Sequence, residues 1–169
     1  MLTPYRDKGD PPPWAIGLGH TNVNGLPPFV DENTRLKDRE EGLAIFRNDI
    51  EKVYVPQLET LFKKINFTPP NLYYKLGFLG TLYNRGAGRL AWADAGSKLK
   101  GSYAWDILKT KRGEKNWMVK AANALSHSHV EDFTPLDMAW SDDAKAEVVY
   151  DGLVARRAFD TALCLWEQF

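Results

Sequence analysis

Three consecutive prolines constrain how this chain can begin. Asp10-Pro11-Pro12-Pro13 cannot be helical, because each proline fixes φ and removes a backbone donor. Directly behind it, Trp14, Ile16 and Leu18 alternate with Ala15, Gly17 and Gly19, a period of two that predicts a strand. On this reading one face, formed by Trp14, Ile16 and Leu18, is bulky and turned to the core. The opposite face is left bare by glycine, which suits close approach of a ligand or another backbone. His20-Thr21-Asn22-Val23-Asn24-Gly25 then turns, Asn24-Gly25 being a favoured tight-turn pair. The expectation is a small antiparallel sheet within residues 1–37.

The remainder reads as helical, so the predicted class is α+β. Asp38 followed by Glu41 resembles a capping box. Behind it Leu43, Phe46, Ile50, Val53 and Tyr54 recur at helical spacing, continuing to Leu58, Leu61 and Phe62. Pro56 should kink or break this helix near Val55. Thr68-Pro69 predicts a new helix start, with proline at the first helical position. Leu72, Leu76, Leu79 and Tyr83 follow, with Phe78 and Leu82 beside them, which makes this the central buried helix. It should stop at Asn84-Arg85-Gly86-Ala87-Gly88. Weaker helical stretches cover 103–111 and 114–125, and Thr134-Pro135 predicts a short helix. The last helix runs from Gly152 to about Gln168, with Val154, Phe159, Leu163 and Trp166 inward. At 169 residues one domain is expected, with a sheet lobe over 1–37 and a helical lobe over 38–169.

Composition removes several classes. Lys plus Arg is 22 and Asp plus Glu is 22, a formal net charge of zero, which argues against binding nucleic acid through a global positive field. Apolar residues are 44% and charged residues 26%, ordinary for a globular chain. No apolar run approaches the ~20 residues of a membrane helix, and no secretory signal pattern is visible. Cys164 is the single cysteine, so an intrachain disulfide and a Cys-based zinc site are excluded. It lies beside Leu163, Leu165 and Trp166 and is most simply a small core residue. His127-Ser128-His129 with Glu131 and Asp132 offers ligand atoms, but the spacing matches no established metal site, and a polar loop is the better reading. No metal and no cofactor are expected. A basic stretch from Lys98 to Lys120 precedes an acidic one from Glu131 to Asp151. The two are read as complementary solvated faces, with an anion-binding rim as the alternative.

Candidates for chemistry are few. Asp7 precedes the proline turn and His20 follows the glycine-faced strand. If the strand pairs with its neighbour, both flank the same bare surface, and a carboxylate beside an open groove is equipment for glycoside hydrolysis. Alternatively Asp7 caps a turn and His20 hydrogen-bonds a backbone carbonyl, which spacing alone favours.

Tyr5-Arg6-Asp7, followed by Trp14-Ala15-Ile16-Gly17-Leu18-Gly19-His20-Thr21, resembles the Tyr-x-Asp … Trp-Thr-Ile-Gly-Tyr-Gly-His-Thr signature of phage T4-type lysozymes, the endolysins of glycoside hydrolase family 24. Residues Asp38 to Val53 are similar to the family's next helix. Tyr83-Asn84-Arg85-Gly86-Ala87-Gly88 is similar to the end of its central helix, and Asp151-Gly152-Leu153-Val154-Ala155-Arg156-Arg157 to its Gly-Leu-x-x-Arg-Arg segment. The matches occur in family order; residues 91–150 match poorly and are expected to carry insertions.

The resemblance implies two lobes enclosing a cleft for peptidoglycan, and hydrolysis of the bond between N-acetylmuramic acid and N-acetylglucosamine. It implies a Glu acid, an Asp nine residues later and a strand Thr. Asp7 takes the Asp position as the catalytic residue. Gly19, His20, Thr21, Tyr83 and Asn84 become substrate-binding candidates, and one of Arg156 and Arg157 is a candidate to turn toward the cleft, with a surface ion pair as the alternative. Two departures stand out. The Glu position falls before Met1, and the Thr position falls on Ala15. Either a natural chain carries the Glu upstream of Met1, or this is a lysozyme-like module that binds the wall without hydrolysing it. The expected partner is bacterial peptidoglycan, with no nucleic acid and no membrane span, and the expected state is a monomer. The expected place of action is the cell wall, in a host periplasm or outside the cell, as an endolysin, a tail lysozyme or a secreted effector.

Overall fold

The computed structural model describes residues 1–6, 11–91, 103–126, 138–141, 146–149 and 159–165. The chain divides into two compact units, Met1–Pro56 and Gln57–Phe169.

In the first unit, β1 (Tyr5–Arg6), β2 (Trp14–Ile16) and β3 (His20–Thr21) form an antiparallel sheet in the order β1-β2-β3. The register sets Tyr5 opposite Ala15 and Ala15 opposite Thr21, with Arg6 opposite Trp14 and Ile16 opposite His20. The predicted strand is shorter than its alternating pattern. Gly17 and Gly19 lie at φ +64° and +103°, conformations that side chains oppose, so β2 ends at Ile16. Gly17-Leu18-Gly19 forms the turn, in which the Gly19 N–H donates to the Ile16 carbonyl at 3.2 Å. Leu18 is therefore at the hairpin tip, 50% exposed, and not core-facing as the alternation predicts. Ala15 and Ile16 are both fully buried, so β2 is covered on both faces. Ile16, Val30 and Leu36 make the core here, with Trp14 and Ile45 packed against them.

Helix α1 (Arg39–Asp49) starts where the capping residues place it. The Asp38 carboxylate accepts from the Glu41 N–H at 2.9 Å. Glu41 reaches back to the Lys37 N–H at 2.6 Å, one residue beyond the usual reciprocal partner. The Pro56 disturbance also occurs where expected. Residues Ile50–Tyr54 form a π-helical turn, in which the Val55 N–H donates to the Ile50 carbonyl. Pro56 offers no donor and its ring crowds the preceding turn, and the widened backbone lies immediately before it. Helix α2 (Val55–Lys64) then continues.

The second unit is built on α3 (Leu72–Leu90), with Tyr74, Phe78 and Leu82 fully buried. It begins later than Thr68-Pro69 suggests. Pro70 disfavours helical backbone at Pro69, so the start moves past both prolines. Asn71 becomes the cap, its side chain accepting from the Tyr74 N–H at 2.8 Å. At its far end α3 does not stop at Gly86; it kinks there, at φ 73° and ψ 166°, and continues to Leu90. Helices α4 (Tyr103–Thr110) and α5 (Trp117–Asn123) match the weaker helical stretches. The second starts three residues after Glu114, behind Asn116 at φ +58°. Two strands absent from the sequence reading, β4 (Met138–Ser141) and β5 (Ala146–Val149), pair antiparallel. The Thr134-Pro135 start lies outside the described residues.

In the terminal helix the described residues are 159–165, here α6. Phe159 is 63% exposed, contrary to its predicted inward position, whereas Asp160 and Cys164 are buried. The helix turns these smaller side chains inward because α3 presents glycine to them. A Cβ on Gly77 would collide with Cys164 and the Asp160 backbone, and one on Gly80 with the Asp160 carboxylate. Val154 and Trp166 lie outside the described residues.

Candidate functional site

The first unit contains a buried polar network centred on His20 and Asp49, which are 2% and 0% exposed. His20 is carried inward by β3 and Asp49 ends α1. His20 Nδ1 lies 2.8 Å from Asp49 Oδ2, and Nε2 lies 2.8 Å from the Pro28 carbonyl. A carbonyl can only accept, so Nε2 carries hydrogen and donates to it. Asn24 also donates to Asp49 Oδ2, at 3.0 Å, and the Tyr54 hydroxyl donates to Asn24 Oδ1 at 3.2 Å. Burial pushes the Tyr54 hydroxyl up from its ordinary range; the Asn24 bond opposes the shift and the Asp49 charge adds to it. Asp49 Oδ1 is buried with no hydrogen-bond partner among the described residues. Asn22 continues the bracing, accepting from the Val30 N–H at 2.6 Å and donating to the Val30 carbonyl at 3.0 Å.

With both ring nitrogens engaged, His20 braces the sheet through a backbone carbonyl and a carboxylate. Its immediate neighbour Thr21 is half-buried on the other face of β3, directly across from Ala15. The row Tyr5–Ala15–Thr21 is thus one cross-strand line, with neighbouring Cα atoms about 4.5–5.5 Å apart. It carries hydroxyls at both ends and a methyl in the middle. Gly19 closes the hairpin turn, directly before β3. On the other face of β1, the Arg6 guanidinium lies 3.8 Å from the Trp14 ring centroid and donates to the Pro12 carbonyl at 2.7 Å. Asp7 lies outside the described residues, as do His127, His129, Glu131, Asp132, Arg156 and Arg157.

Tyr83 and Asn84 belong to the second unit. They are consecutive on α3, half-buried, and lie just before the Gly86 kink. The structure adds polar groups there that sequence reasoning missed. Asp160 is 3% exposed, and the Thr81 hydroxyl lies 3.4 Å from its Oδ2. The available signal was a carboxylate at an otherwise apolar helical position. Cys164 donates to the Tyr74 carbonyl at 3.4 Å, and burial drives its thiol well above the usual range, with the nearby Asp160 charge adding to the shift. That environment suits a packing residue, not a nucleophile. Among the described residues no group of three or more His, Cys, Asp or Glu could hold a metal ion. No described helix is long and apolar enough to cross a membrane.

Among solved structures, the chain is similar to a crystal structure of a mutant P22 lysozyme. The match covers 97% of this chain and 86% of that one, with a TM-score of 0.55 and 19% identity. The fold is therefore lysozyme-like α+β, with a small three-stranded antiparallel sheet near the start and helices dominating thereafter. No protein-family model and no curated protein sequence matches the chain.

Proposed function

We propose that this protein acts on bacterial peptidoglycan as a lysozyme-like glycoside hydrolase. Its substrate bond is the one between N-acetylmuramic acid and N-acetylglucosamine. The observation that carries this reading is the likeness to a phage lysozyme over nearly the whole chain. Asp7 is the carboxylate that orients or activates water beside the scissile bond. Gly19 and Thr21 of the hairpin, and Tyr83 and Asn84 of α3, contact the glycan. His20 serves as a positioning residue, since its ring is committed to Asp49 and Pro28. The protein works at the cell wall as a monomer, without cofactor or metal.

One observation favours a second reading, a wall-binding module without hydrolysis. The position that the resemblance assigns to a threonine hydroxyl is Ala15, whose methyl is fully buried. Purified sacculi distinguish the readings when residues 1–169 are assayed for both co-sedimentation and release of reducing sugar. Release that disappears in Asp7→Ala supports hydrolysis with Asp7 as the carboxylate. Binding without release supports the module. Neither binding nor release overturns both.

A further inference from the structure

The turn between α2 and α3 forms a concavity of about 330 Å³ lying wholly within the second unit. Its floor is aromatic. Phe62 and Phe67 are buried, and their rings meet edge to face at 5.1 Å. Arg112 clamps the turn in place, donating to the carbonyls of Ile65 at 2.5 Å and Asn66 at 2.6 Å. Its guanidinium also lies 5.9 Å from the Phe67 ring centroid. Asn66 is held at φ +50°, a left-handed conformation.

The lining above this floor is polar. Glu59 and Lys75 pair at 2.6 Å through one oxygen of Glu59. Lys63 and the side chains of Asn66 and Thr68 also line the hollow and make no side-chain hydrogen bond among the described residues. An ammonium, an amide and a hydroxyl, exposed and uncommitted, thus border a buried aromatic base. That is the equipment of a small-ligand site, in which apolar contact supplies affinity and a few polar groups fix orientation. The charges narrow the ligand. Lys63 and Lys75 against Glu59 leave one net positive charge, so a monoanion balances the site. The volume suits a single substituted sugar ring.

We propose that this hollow binds an acidic N-acylated amino sugar of the muramic acid type. The carboxylate faces Lys63. The acylamino group is held by the Asn66 amide and the second Glu59 oxygen, and the apolar face of the ring rests over Phe67. The choice of a wall sugar rests on the peptidoglycan reading above; the site itself does not depend on hydrolysis.

Nitrogen-15 NMR titration with free N-acetylmuramic acid, and separately with neutral N-acetylglucosamine, tests it. The expected result is amide shifts confined to residues 59–75 and tighter binding of the acid. Lys63→Ala should weaken the acid roughly twofold to fivefold, as for an exposed ion pair, and leave the neutral sugar unchanged. Asn66→Gly, which keeps the left-handed backbone, should weaken both. Absence of shifts at these residues, or equal binding of both sugars that Lys63→Ala does not alter, overturns the proposal. Sacculi cleaved by a protein that shows no such shifts would remove this site and leave the hydrolase reading standing. Shifts without any action on sacculi would do the reverse.

Discussion

Replacing His20 with alanine should be among the most damaging single changes available in the first unit. His20 contributes two bonds of 2.8 Å, one to Asp49 and one to the Pro28 carbonyl. Its removal leaves a fully buried Asp49 with Asn24 as its one remaining hydrogen-bond donor among the described residues. Stranding one member of a buried pair costs about 3–5 kcal/mol. For a chain of this size each kcal/mol moves the midpoint by about 2–4 °C, so a fall of roughly 6–20 °C is expected. Asp49→Asn should cost less, about 1–3 kcal/mol, because it leaves no buried charge, although one amide atom at the Oδ2 position cannot both donate to Nδ1 and accept from Asn24. The double variant His20→Ala, Asp49→Ala should cost less than the sum of its parts by about 0.5–3 kcal/mol. Urea denaturation of the parent, His20→Ala, Asp49→Ala, Asp49→Asn and the double variant, with slopes compared to confirm a common unfolded state, supplies these numbers. A His20→Ala cost below about 1 kcal/mol, with additive behaviour in the double variant, would show that the network does not brace the sheet.

Gly19→Val places a branched side chain at φ +103°, so it should destabilise by about 1–3 kcal/mol as well as affect wall binding; thermal melts paired with co-sedimentation read both effects. Cys164 should resist alkylation by iodoacetamide in the folded protein at neutral pH and react only on unfolding, because burial holds the thiol protonated; rapid native labelling counted by mass spectrometry would contradict this. Burial raises the folded-state pKa of both Tyr54 and Tyr74, so their stabilisation is complete below the unfolded value of about 10 and is lost as pH rises through the folded values. Stability should therefore fall in alkaline solution above that point, less steeply in Tyr54→Phe, as tyrosinate absorbance during urea titration would report.

Local chemistry was legible in the sequence wherever a short-range rule decides the backbone. Asp38 and Glu41 mark the start of α1 because capping involves only neighbouring residues. Pro56 marks the disturbed turn for the same reason. The α2–α3 boundary was misplaced because two prolines interact: Pro69 alone suits a helix start, but Pro70 behind it does not permit one. The hairpin was misread because Gly17 and Gly19 fit both a bare strand face and a turn, and periodicity cannot distinguish them. The inward face of α6 was invisible locally. Phe159 would be the apolar choice, but Gly77 and Gly80 on a distant segment admit only Asp160 and Cys164 at close approach. Of the candidate site, His20 and Thr21 were singled out from the motif, while Asp49 emerged only when α1 was folded against β3.

That partnership explains how a buried network fixes the facing of the hairpin's other side chains. His20 and Thr21 are consecutive in a two-residue strand, and successive strand residues face opposite ways. Locking His20 inward to Asp49 and Pro28 therefore fixes which way Thr21 points. With β3 in register against β2, Thr21 lies across from Ala15. A one-residue slip would exchange the two faces, burying the threonine and exposing the imidazole. A strand of two residues has too few ladder bonds to prevent that by itself. The bond between His20 and Asp49, with the Pro28 carbonyl and Asn24 as their further partners, supplies the specificity that the short strand lacks.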